Sequence, residues 1–170
     1  MTAIDDIAAQ LITSTLASLA AVGAEAPERY CVIPGEFAWD ACECGTLAVR
    51  WTGNAFGTSV TSTTQDTDTG CGPPVVNIGL NVVLLRCAPG PRSDGAPPTC
   101  AQLAVAAAVL HRDVFALEDA MIDAVMALRA NSTILDWALI GQSPVGPQGL
   151  CVGTSYNLTV AIKNTWRSCG

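Results

Sequence analysis

The sequence holds a single histidine, His111, and only 8 Lys+Arg among 170 residues. One imidazole excludes metal sites built on two or three histidines and leaves any Ser-His-Asp or Cys-His mechanism dependent on that residue. So few basic residues, against 15 Asp+Glu for a net charge of −7, exclude a basic face that neutralises phosphates. Charged residues make up 14% of the chain and aromatics 5%, whereas hydrophobic residues reach 50%. That balance excludes disorder and leaves too little charge to cover the surface of a monomer, so part of the surface is expected to lie against other chains.

Other absences concern compartment and catalysis. No uninterrupted apolar run approaches the roughly 18 residues of a membrane span, and none is expected to cross one. The N-terminus carries Asp5 and Asp6 where a signal peptide wants positive charge, and Thr13, Ser14, Thr15 and Ser18 interrupt its apolar stretch. The chain is therefore expected to be made and kept in a cytoplasm. No phosphate-cradling glycine loop, G-x-S-x-G elbow or H-E-x-x-H motif occurs. His111 reads as a solvated helix-face residue, and Glu118, Asp119 and Asp123 as the wet side of a helix. Asp66 and Asp68, in D-T-D-T-G, lack the later ligands of a calcium loop.

Cysteine, in contrast, is plentiful: Cys31, Cys42, Cys44, Cys71, Cys87, Cys100, Cys151 and Cys169. Without a signal peptide, three readings stand. Most are small buried apolar side chains; some nearby pairs oxidise after a particle assembled in a reducing cell is released; or Cys42, Cys44 and Cys71 form a small zinc or redox module, although C-x-C lacks the spacing of a zinc knuckle.

Periodicity sets the expected elements. Ile4, Ile7, Leu11, Leu19 and Val22 form a helical stripe over 3–22, closed by Gly23. Tyr30–Ile33 reads as a short strand stopped by Pro34-Gly35. Over 46–51, Leu47, Val49 and Trp51 share one face of a half-buried strand. Val75–Cys87 is a long strand with Val76, Ile78, Leu80, Val82 and Leu84 on one face; Asn77, Gly79 and Asn81 predict an exposed opposite face that becomes covered at Val83 and Leu85. Thr99 is a natural N-cap for a helix over 100–130, along which Leu103, Ala107, Leu110, Val114, Leu117, Met121, Ala124 and Leu128 recur in a heptad-like rhythm. That stripe suits a helix packed across a sheet, with a coiled-coil seam as the alternative. Residues 134–140 and 150–163 pattern as a hairpin around a loop at 141–149. The sum is one α+β domain: an N-terminal helix, an antiparallel sheet of four to five strands packed against one long helix, and a C-terminal β-hairpin. Thr52–Pro74, rich in Gly, Ser and Thr, reads as a long exposed arm or a poorly ordered connection. Trp39, between two turns, reads as a core plug or as an aromatic anchor at a subunit contact.

The order of elements, with GEFAWDACECGTLAV at 35–49, CGPPVVNIGLNVVLLRCAP at 71–89, PPTCAQLAVAAAVLHRD at 97–113 and GPQGLCVGTSYNLTVAI at 146–162, resembles the Cys-containing neck proteins of long-tailed actinobacteriophages, most closely the tail terminators. The resemblance extends over nearly the whole chain and rests on element order and short motifs; the neighbouring head-to-tail stopper proteins share much of it. It implies a non-enzymatic virion protein without cofactor, assembled in the host cytoplasm. Such proteins form a sixfold ring of identical chains that caps the major tail-tube protein, stops its growth and meets the head-side connector, while genome DNA passes through the lumen without specific binding. It further implies two places for contacts with other chains. One is the 52–74 arm, with Asn54, Phe56, Asp66 and Asp68. The other is the 141–149 loop, with Val145 and Gln148.

Overall fold

A computed structural model describes residues 3–35, 45–57, 60, 75–148 and 150–163. Its elements in chain order are α1 (Ala3–Ala21), β1 (Arg29–Ile33), β2 (Thr46–Gly57), β3 (Val75–Cys87), α2 (Cys100–Ala130), β4 (Asp136–Gln148) and β5 (Cys151–Lys163). The five strands form one sheet in the order β1-β2-β3-β5-β4. Both helices lie on one face of it: α1 over β1 and β2, α2 alongside α1 and over β5 and β4. The predicted α+β architecture is the observed one.

Local chemistry explains the ends of the helices. The N–H of Gly23 (φ +63°) donates to the carbonyl of Ala20, and that of Ala24 to Leu19, so α1 closes in a Schellman turn at the glycine expected to end it. At the start of α2 the Thr99 hydroxyl accepts from the backbone N–H of Gln102, while the Gln102 side chain accepts from the backbone N–H of Thr99. This capping box satisfies two donors that would otherwise lack partners.

The core lies between the two layers. Ile7, Leu11 and Leu19 of α1 and Leu117, Met121, Ala124 and Leu128 of α2 pack against Leu47, Val49, Leu80, Val82, Leu84, Leu158 and Val160 of the sheet. Tyr156 is also buried there.

Five expectations are corrected by the strands. The sheet is mixed, because β1 runs parallel to β2 (Arg29 opposite Thr46, Ile33 opposite Arg50); alternation reports which face a residue takes and is silent on strand direction. Residues 52–57, assigned to the arm, continue β2 antiparallel to β3 past a bulge between Trp51 and Gly53. That bulge accompanies a Trp51 that is 45% exposed instead of buried with Leu47 and Val49. The expected 141–149 loop is mostly strand. Pro144 and Pro147, which suggested a loop, are tolerated because β4 is an edge strand whose outer N–H groups need no partner, and the ladder shifts register at Gly141 and between Val145 and Gln148. Finally, Asn77 and Asn81 are buried instead of exposed. Asn81 accepts from Arg50 Nε at 2.9 Å and donates to Asn157 Oδ1 at 2.8 Å, which provides partners for a polar side chain on the central strand.

One glycine is sterically required. A Cβ on Gly153 would overlap the carbonyl oxygen of Leu84, so β5 approaches β3 at this point only because position 153 has no side chain.

Candidate subunit interface

Helix α2 is longer than the layer that supports it. Its buried residues begin at Asp113, so the first 13 residues, Cys100–Arg112, contribute none. At 1.5 Å per residue this is roughly 20 Å of helix extending beyond the core. Leu103, Ala107 and Leu110, the first three members of the predicted core stripe, lie on this overhang. Leu103 is 50% exposed, and Val105 beside the stripe is 68% exposed. The prediction of a continuous core stripe therefore holds for Leu117, Met121, Ala124 and Leu128, weakens at Ala107, Leu110 and Val114, which are half-buried, and fails at Leu103.

Where the overhang begins, the helix is pinned. Asp113, only 1% exposed, receives two hydrogen bonds from Arg86 near the end of β3, from Nε at 2.7 Å and Nη2 at 3.1 Å. Gln142 of β4 donates to the carbonyl of Val114 at 3.2 Å. A bidentate buried ion pair and an edge-strand amide thus set how far α2 projects. Sequence reasoning had no role for Asp113. Its signal was positional: Asp113, Ala116, Leu117 and Ala120 recur at helical spacing on the buried side, so an acid at 113 required a buried cation.

Beside the overhang lies an apolar crevice of about 500 Å³ lined by Cys87, Ala88, Pro89, Ala101, Gln102, Val105 and Ala106. The turn between β4 and β5 closes the same end of the molecule. The Ala88 N–H donates to the carbonyl of Leu150 at 2.6 Å, and the Leu150 side chain is exposed. Val145 opposite Gly153 and Gln148 opposite Cys151 belong to this end. Asn54 and Phe56 do not. They pair with Ile78 and Val76 at the far end of β3, roughly 30 Å away at 3.3 Å per residue. Asn54 accepts from the Trp51 indole N–H at 2.7 Å and borders a shallow pocket with Asn77, Gly79 and Thr159. The two groups of predicted contact residues therefore occupy opposite ends of the sheet. Trp39, Asp66, Asp68, Cys42, Cys44 and Cys71 lie outside the described residues.

Of the described cysteines, Cys87 and Cys151 are disulfide-bonded and face each other in register across β3 and β5, whereas Cys31 and Cys100 are free and exposed. Among the described residues no group of three His, Cys, Asp or Glu side chains could hold a metal ion. His111, Glu118, Asp119 and Asp123 are all exposed on α2. By length and composition α2 is also apolar enough to cross a membrane, but its C-terminal half is committed to the core and Asp113 to Arg86. Tyr156 has its phenol pKa raised above 10.0 by burial and then by the nearby Glu118 charge.

The α2 overhang, Ala88-Pro89 and Leu150 thus build an apolar end on the described surface. No protein-family model and no curated protein sequence matches this chain.

Proposed function

We propose that this chain is a structural virion protein of the neck of a long-tailed phage. In this reading it forms a ring at the head-proximal end of the tail, terminates polymerisation of the major tail-tube protein and joins the tail to the head connector. The observation that carries the reading is the α2 overhang. The first three turns of the helix contribute no fully buried residue, leave Leu103 and Val105 exposed, and border an apolar crevice. Exposing such a surface is unfavourable in water by about 25 cal/mol per Å² of apolar area, and a neighbouring copy that supplies the missing layer removes that cost. A projecting helix that seats on a different surface of the next copy makes a head-to-tail contact, and such contacts generate rings when the rotation closes.

The acidic balance of the chain, net −7, fits a lumen through which genome DNA slides without specific binding. No cofactor or membrane enters this role. The disulfide-bonded Cys87 and Cys151 fit a particle that is assembled in the host cytoplasm and then released into an oxidising setting.

A polymerisation assay tests the reading. Growing tail-tube protein is mixed with substoichiometric amounts of the chain, and tube length is measured by electron microscopy. The proposal expects tubes that stop growing and carry the chain at one end. Unchanged tube lengths, with the chain bound to the head connector alone, would instead favour a stopper or adaptor of the same neck.

A further inference from the structure

On the side of α2 turned away from the core lies a second apolar stripe. Ala101, Ala108, Phe115 and Ile122 follow one another at intervals of seven, with Ala104, Val105 and Met126 flanking them, and all are exposed, Phe115 at 67%. A helix apolar on two opposite faces is expected to be covered on both, and here only one face is. The stripe is ordered along its length in two respects. Its N-terminal half is small (Ala101, Ala104, Ala108) and its C-terminal half is large (Phe115, Ile122, Met126). The exposed charges nearest Phe115 follow the same division, with Arg112 before it and Glu118 and Asp119 after it.

We infer that this face binds a second copy of the chain, α2 against α2, antiparallel and centred on Phe115. Antiparallel pairing places Ala108 against Ile122 of the partner and Val105 against Met126 of the partner, so small residues receive large ones. It also sets Arg112 against Asp119 of the partner and His111 against Glu118 of the partner. Parallel pairing would oppose alanine to alanine and acid to acid, losing both complementarities. The contact is two-fold and self-complementary. It is centred on the face of α2 opposite Leu103, Ala107 and Leu110, shares Ala101 and Val105 with the crevice beside the overhang, and does not rest on the ring reading.

The test is the native mass of the full chain at micromolar concentration, for wild type, Phe115→Asp, Arg112→Asp and the charge exchange Arg112→Asp/Asp119→Arg. Residues 112 and 119 are two turns apart on one helix, too far to pair within it, so rescue by the exchange requires two chains. The expected result is a twofold fall in assembly mass for Phe115→Asp, a weaker association for Arg112→Asp and its recovery in the double variant. A ring that also closes lowers the counts from twelve copies to six, and without ring closure they fall from two to one, so failure of the ring leaves this contact measurable. A wild-type mass unchanged by Phe115→Asp, or a double variant no better than Arg112→Asp, overturns the inference. Circular dichroism of each variant confirms that the exposed substitutions leave the fold intact.

Discussion

At the residue scale the decisive side chain is Asp113. It is almost fully enclosed and its charge is matched by Arg86 through two hydrogen bonds. Removing one partner of such a pair leaves the other charge buried and uncompensated, at a cost of about 3–5 kcal/mol, whereas replacing both with apolar groups is far milder. Asp113→Ala is therefore expected to lower unfolding stability by that amount in urea titration, and Asp113→Leu/Arg86→Met by much less. Equal losses would mean that the pair does not pin α2. Tyr156 provides a second check. Its raised pKa means that the folded state holds the phenol proton more tightly than the unfolded chain does. The corresponding stability is complete below the ordinary value near 10 and is lost as pH rises through the folded value. Above pH 10 the wild type should lose stability faster than Tyr156→Phe, and parallel decline of the two would contradict the assignment.

At the scale of elements, α2 was the most legible part of the sequence. Thr99 and the seven-residue rhythm mark its span because each acts within a few residues. What stayed hidden depends on distant partners. The Leu103 position looks as apolar as Leu117, and only the length of the sheet distinguishes an overhang from a core. Pro144 and Pro147 suggest a loop until the sheet order places them on an edge strand, and Asn77 and Asn81 suggest solvent until the central strand encloses them. Because the first turns of α2 have little tertiary support, their stability leans on the cap. Thr99→Ala should cost about 1 kcal/mol locally. Amide exchange over residues 100–112 would then rise roughly fivefold, while exchange in the Leu117–Leu128 region stays near the wild-type rate. Uniform acceleration across the helix would show that the overhang and the core segment open as one unit.

At the scale of the whole molecule, the low charge that first suggested buried contacts now has an address. Much of the apolar content is used by two helices packed on a five-stranded sheet. Part of the remainder lies on α2, at the overhang beside Ala88-Pro89 and on the outward stripe around Phe115, and part on the strands, at Tyr30, Val32 and Ile140. Of the contact residues expected from sequence, Val145 and Gln148 fall at the overhang end because the β4–β5 turn returns there. Asn54 and Phe56 fall at the other end because β2 continues through the segment expected to be an arm. A ring whose two faces meet different partners has uses for both ends. Whether the overhang seats a neighbouring copy is read most directly from the native mass of the full chain compared with that of Leu103→Asp. Wild-type assemblies are expected in multiples of six copies, with loss of ring closure when a charge occupies the exposed stripe position. A wild type that remains monomeric at micromolar concentration, or a Leu103→Asp chain that assembles as well as wild type, would contradict that expectation.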